Sequence, residues 1–113
     1  MQIVEKPWGR ESIWARTSKY VGKILHIKAG ESLSLQYHRE KLETVMVLTG
    51  RMKLEFFRDG EEPQTRELGP REPFEIAVEL RHRMTAIEDT DVVEVSTPQL
   101  DDVVRLEDRY GRA

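Results

Sequence analysis

GESLSLQYHREKLETVMVLTG, residues 30–50, carries the pattern from which the rest of this chain can be read. After the turn glycine Gly30 the sequence alternates with period two. Leu33, Leu35 and Tyr37 fall on one face of such a strand, and Ser34, Gln36 and His38 on the other. One face is apolar, and the other presents an amide and an imidazole. A short charged loop follows, and Glu43 opens a second apolar run, Val45 to Leu48, that stops at Thr49-Gly50. Paired as a hairpin, the two runs bring Glu43 back to Gln36 and His38. An imidazole, a carboxylate and an amide oxygen converging on one point suit a borderline divalent cation.

Outward from this stretch the same period recurs. Upstream, YVGKILHIK (residues 20–28) is strand-like and ends at Ala29-Gly30. His26 inside it is either a partly buried structural histidine or a group facing a barrel interior. Residues 1–15 read as an N-terminal arm with a turn at KPWGRE, and Trp8 and Trp14 as packing anchors. Downstream, Met52, Leu54 and Phe56 alternate with Lys53 and Glu55, and Asp59-Gly60 supplies a tight turn. Gln64 to Leu68 reads as a short edge strand, and Pro73 to Val78 as another. His82–Ile87 and Asp91–Ser96 are expected to pair across Glu88-Asp89-Thr90. The last segment, DDVVRLEDRYGR, reads as a strand and a helical turn, with residues 99–113 packed on the body as a tail. Many short strands between turn signals predict one all-β domain, a small sandwich or barrel.

Composition narrows the function classes. The 113 residues suffice for one core, and residues 1–113 are expected to form a single domain. No run reaches the roughly eighteen apolar residues needed to cross a membrane, and the N-terminus lacks a signal-peptide layout. The chain has no cysteine, hence no disulfide framework or thiolate chemistry. A cytoplasmic protein is expected. A net charge of −3 disfavours nucleic acid as a partner, and 35% charged residues of mixed sign imply a surface laced with ion pairs.

The spacing Gly-x5-Gln-x-His-x4-Glu-x6-Gly over residues 30–50 resembles the first signature of the cupin superfamily. The Gln-x-His-x4-Glu version preceded by Leu-Ser-Leu is similar to the cupin domain of type II mannose-6-phosphate isomerases. GPREPFEIAVELRH, residues 69–82, resembles the second cupin signature, with His82 at the ligand position and Arg83 completing a His-Arg pair. Ala77 stands in place of the usual proline and Glu79 in place of the usual turn glycine. Glu79 must therefore take another backbone shape or bear strain at positive φ. KPWGR near the start, Lys23 before the ligand strand, and VVEVSTPQLDDVVRLEDRYGR (residues 92–112) extend the likeness over nearly the whole chain. The family's His-rich loop and His-Trp pair are replaced by Arg39 to Leu42 and by Thr44-Val45. Full-length relatives attach this domain to a sugar-1-phosphate nucleotidyltransferase, so the chain looks like a free-standing relative.

The resemblance implies an all-β cupin, a double-stranded β-helix of jelly-roll type, with Gln36, His38, Glu43 and His82 as metal ligands. Zn²⁺ is the first choice, with Mn²⁺, Fe²⁺, Co²⁺ and Ni²⁺ open. It further implies isomerisation of mannose 6-phosphate and fructose 6-phosphate. A base must then move a proton between adjacent carbons, and Lys23, His26 and Glu94 are its candidates. A phosphate calls for arginine or lysine, and Arg83, Arg105 and Arg112 join Lys23 in that role. A homodimer is expected by analogy with other small cupins. A binding cupin without turnover, and another metal enzyme such as an iron dioxygenase, are the competing readings.

Overall fold

A computed structural model describes residues 1–112. Eleven strands make up its regular structure: β1 (Gln2–Lys6), β2 (Gly9–Arg16), β3 (Val21–Ile27), β4 (Leu35–Tyr37), β5 (Glu43–Thr49), β6 (Met52–Phe57), β7 (Gln64–Leu68), β8 (Pro73–Ile76), β9 (Arg81–Ala86), β10 (Thr90–Ser96) and β11 (Val104–Glu107). No helix among the described residues is long and apolar enough to cross a membrane. The strands form two antiparallel sheets, in the orders β1-β2-β3-β10-β5-β8 and β11-β4-β9-β6-β7. Their inner faces meet in one core. The first sheet gives Leu25, Ile27, Val45, Val47 and Val92, and the second gives Met52, Leu54, Phe56, Met84 and Ala86. The period-two alternation therefore reads as expected for sheets with one buried face.

The pairing departs from two expectations. β4 lies in one sheet beside β9 and β11, whereas β5 lies in the other between β10 and β8. The runs on either side of residues 38–42 thus do not form a hairpin; the loop crosses from one sheet to the other. Likewise β9 and β10 belong to different sheets, and residues 87–89 make a second crossing. Consecutive strands that switch sheets are what a jelly roll requires, and local alternation says which face a residue takes but not which strand it pairs with. β6 and β7 do form the expected hairpin, with β7 at the sheet edge.

The strand after Gly30 is also shorter than its alternation suggests. Only residues 35–37 are regular, and Ser32 makes an isolated bridge to Thr85. The break turns Leu33 into the core and the cavity alongside Gln36 and His38, while Leu35 and Tyr37 stay half-buried. Residues 1–15 are no loose arm: β1 and β2 pair along their length and β2 continues the sheet to β3. Trp8, in the turn between them, is 2% exposed and belongs to the core. Trp14 sits at a bulge and covers Gly22, where an added Cβ would come within 2.6 Å of its ring. Glu79 keeps the left-handed conformation of a turn glycine, with φ of 67°.

Candidate metal centre

The two crossings deliver the site. His38 follows β4 directly, the loop carries the chain over to the opposite sheet, and Glu43 is the first residue of β5. His82 stands on β9 as the cross-strand partner of Gln36. His38, Glu43 and His82 are all buried and offer one ligand atom each within 4.8 Å of one another. His38 Nε2 lies 3.0 Å from Glu43 Oε1, and His82 Nε2 lies 3.6 Å from the same oxygen.

The outer contacts of the two rings fix their orientation. His38 Nδ1 donates to the Asp102 carbonyl at 2.6 Å, and His82 Nδ1 donates to the Leu80 carbonyl at 2.8 Å. A carbonyl only accepts, so both Nδ1 atoms carry protons and a neutral ring aims its Nε2 lone pair at Glu43. His82 Nε2 is buried with no hydrogen-bond partner among the described residues, and Glu43 Oε2 has only the Lys41 ammonium near it. Two lone pairs and a carboxylate pointed at one another, with an orphaned ring nitrogen among them, fit a divalent cation.

A layer of charge surrounds the centre. Lys41 Nζ lies 3.3 Å from Glu43 Oε2, both side chains being almost fully buried. Burial works against the charged form of Glu43, but the Lys41 ammonium and a hydrogen bond from Glu94 outweigh it and hold the carboxyl far below its ordinary range. Glu94 behaves oppositely: burial and the neighbouring Glu43 push its carboxyl well above the ordinary range. Burial pulls the His82 imidazole down despite the attraction of Glu43. Burial also disfavours the Lys41 ammonium, yet Glu94 and Glu43 together raise it above its usual value. Lys23 faces Glu94 across the β3–β10 pairing and makes a 3.3 Å ion pair with Glu11.

A cavity of about 470 Å³ opens beside the centre. The β1–β2 hairpin and the C-terminal tail wall it, and Trp8, Lys23, Gln36, His38, Arg105 and Arg112 are among its lining residues. Gln36 Oε1 accepts the Ser34 hydroxyl at 2.6 Å. Arg105 Nε is buried with no hydrogen-bond partner among the described residues. Arg112 is held by Asp108 through Nε at 3.1 Å and a second guanidinium nitrogen at 3.0 Å.

Of the residues singled out by sequence, the structure brings Lys23, Gln36, His38, Glu43, His82, Glu94, Arg105 and Arg112 to this one region. His26 is not with them. It lies on the outer face of the first sheet, 2.6 Å from Asp91 and 3.2 Å from Ser12, because alternation along β3 turns it away from Lys23 and Leu25. Arg83 is absent too: next to the inward His82, it points outward and pairs with Glu55 at 2.9 Å and Glu107 at 3.4 Å. Two residues were not foreseen. Lys41 lay in what read as a merely charged loop. Asp102 accepts the backbone N–H groups of Arg39, Glu40 and Lys41 while its own carbonyl holds His38. Its only sequence signal was the paired aspartates of the tail.

Residues 1–108 match the family described as the mannose-6-phosphate isomerase C-terminal domain. The mannose-1-phosphate guanylyltransferase ManC of Salmonella typhimurium is 33% identical over 96% of this chain. An Escherichia coli K12 mannose-1-phosphate guanylyltransferase matches equally, at 33% over 96%. The chain spans only 23% of the length of either relative. Among solved structures, KdgF from a Halomonas species superposes with a TM-score of 0.75 at 21% identity, covering 89% of this chain and 91% of its own. A Bacillus subtilis oxalate decarboxylase, described with Mn(II) centres, reaches 0.81 at 14% identity over 94% of this chain and 30% of that one. At those identities the likeness concerns the cupin fold.

Proposed function

Because the chain belongs to the mannose-6-phosphate isomerase C-terminal family, we propose that it is a metal-dependent sugar-phosphate isomerase acting on mannose 6-phosphate and fructose 6-phosphate or a related pair. The observation that carries this reading is the two-imidazole, one-carboxylate cluster next to a cavity that its His38 lines together with Lys23, Lys41, Arg105 and Arg112. His38, Glu43 and His82 would hold the ion, with Gln36 beside them. One carboxylate against a dication leaves net positive charge, and Zn²⁺ suits the nitrogen-rich set. A bound cation supplies electrophilic stabilisation to an oxygen on which negative charge develops.

The chain's own residues do the remainder. Arg105 and Arg112 on the tail face the cavity and would take the phosphate, the unpartnered Nε of Arg105 being a donor in want of an acceptor. Lys23 and Glu94 are the proposed proton carriers between adjacent carbons, since both face the cavity and His26 does not. The buried hairpin wall around Trp8 would exclude water. The family's missing histidines weigh less than the sequence suggests. Among Arg39 to Leu42, Thr44 and Val45, only Lys41 lines the cavity; Val45 is in the core. A homodimer in the cytoplasm completes the reading.

The test is metal content by mass spectrometry on untagged protein, followed by a coupled mannose-6-phosphate isomerase assay on the same sample. About one ion per chain and turnover abolished by a chelator are expected, with His38→Ala and His82→Ala losing both. Turnover that survives chelation would defeat the metal-dependent mechanism. Bound metal without turnover on sugar phosphates would leave a binding cupin, and iron with oxygen uptake would point to a dioxygenase.

A further inference from the structure

The cavity lies where the edges of the two sheets fail to meet. β1 is a free edge of one sheet and β11 a free edge of the other, and residues of both line the opening between them. Gln2, Val4 and Lys6, alternate residues of β1, form one lip. Val103, Arg105 and, beyond the strand, Arg112 form the other. Gln2 to Lys6 covers about 13 Å of strand, so the opening has two separate ends.

The register tells the ends apart. Lys6 is the cross-strand partner of Gly9, and Gly9 of Ile27. On the other lip the Arg112 guanidinium lies 5.8 Å from the centre of the Tyr110 ring, whose hydroxyl accepts the Ser32 N–H. Lys6 and Arg112 therefore stand on opposite lips at the same end, the one marked by residues 27–32. At the far end Arg16 is paired with Val21, and Val21 with Ser96, the partner of Glu43. Asp101 and Lys41 line the cavity there.

The cations also differ in what already holds them. Lys23 is paired with Glu11, and Lys41 with Glu43. Arg16 is exposed and has the Asp101 carboxylate at its own end. Lys6 and Arg105 are half-buried and make no ion pair among the described residues, and Arg105 Nε is buried without a hydrogen-bond partner. Arg112 is held by Asp108. Lys6, Arg105 and Arg112 against that one carboxylate leave two positive charges over, close to what a phosphate monoester carries at neutral pH.

We propose that the substrate's phosphate binds across the mouth of the cavity, between Lys6 on the β1 lip and Arg105 and Arg112 on the β11 lip, and draws the two sheet edges together. The proposal rests on the sugar-phosphate reading above and adds to it a third phosphate ligand and a closing step. Two arginines of the tail could hold a phosphate on one wall. Lys6 makes the contact span two elements that no ladder joins, so closing the mouth disrupts no existing strand pairing. Binding energy from a group remote from the reacting carbons then serves to close the site, and a sugar without phosphate forfeits both the contact and the closure.

The test is calorimetric titration of the Zn²⁺-loaded protein with inorganic phosphate, mannose 6-phosphate and mannose, paired with amide hydrogen exchange. Wild type is expected to bind both phosphates, and bound phosphate to slow exchange in residues 2–6 and 104–112 together. Lys6→Met should weaken binding of either phosphate about tenfold, leave mannose unchanged and lose the protection of residues 2–6. Lys6→Arg should restore both, and Arg16→Met, at the other end, should match wild type. Metal content on the same samples checks that each variant keeps its fold. A Lys6→Met protein that binds phosphate as wild type does, a loss in Arg16→Met instead, or protection confined to one lip overturns the proposal. Turnover is read separately. Phosphate bound through Lys6 without isomerisation leaves the clamp standing and defeats the isomerase; turnover with an unchanged KM in Lys6→Met does the reverse.

Discussion

Asp102 shows how much one residue can organise. Its carboxylate gathers three backbone N–H groups of the crossing loop, and its carbonyl orients the His38 ring of the candidate metal centre. Removing outer contacts of this kind commonly costs about 10–100-fold in metal affinity. Asp102→Ala keeps the carbonyl but frees its position, so about a tenfold loss is expected by metal titration, less than for His38→Ala. The same residue predicts a pH dependence. Backbone hydrogen bonds from Arg39 and Glu40 lower the carboxyl from 3.8 to about 2. A depressed acid contributes stability that is complete above its unfolded value and lost as pH falls through the folded one. The difference in urea midpoint between wild type and Asp102→Ala should therefore be constant above about pH 4 and shrink toward pH 2. Glu79 is the opposite case, a side chain kept where φ is 67°. A left-handed conformation costs a non-glycine residue about 1–2 kcal/mol, and glycine returns about 0.5–1 kcal/mol of that as unfolded-state freedom. Glu79→Gly should raise the Tm; an unchanged or lower Tm would show that the glutamate gains contacts which offset its strain.

At the level of elements, local chemistry was readable and partnership was not. Alternation found β3, β5, β6 and β10, and Asp59-Gly60 fixed the β6–β7 hairpin, because face and turn are encoded within a few residues. The jelly-roll crossing at residues 38–42 has the same length and polarity as a hairpin loop, so His38 and Glu43 were rightly placed together for a wrong reason: they meet across two sheets. The interior set Lys23, Glu94, Gln36 and His82 followed from period two and the resemblance together. His26 was placed on the wrong face, an error that a period of two makes total, and Arg83, drawn in by the His-Arg pair of the resemblance, faces away from the cavity. Lys41 was missed because an ammonium is expected at the surface, and only the Glu43–Glu94 pair makes its burial tolerable. The β1–β2 hairpin looked like an arm because Pro7 and Gly9 dominate a short stretch. Its turn residue Trp8 is core, so Trp8→Ala should cost about 3–5 kcal/mol in chemical denaturation and open the cavity wall. A loss below about 1 kcal/mol would mean the hairpin is dispensable to the fold.

For the whole molecule, the candidate metal centre would act as a clasp between the two sheets. Glu43 belongs to one sheet and His82 to the other, so a bound ion ties them directly. A ligand present at about 100 times its dissociation constant stabilises the folded state by about 2.7 kcal/mol. Stripping the ion with a chelator should lower the Tm, and restoring Zn²⁺ should recover it; a Tm indifferent to both would mean the ion does not bridge the sheets. The clasp also has a consequence in time. His38 is oriented by a carbonyl 64 positions further along the chain, and its loop is gathered by the same residue. During synthesis the ligands at 38, 43 and 82 therefore emerge before the group that aims the first of them. A nascent chain can collapse its strands, but it cannot complete its metal centre until the ribosome has passed Asp102. A cation met earlier would find only loosely held imidazoles, so the order of synthesis leaves the aiming of His38 until last.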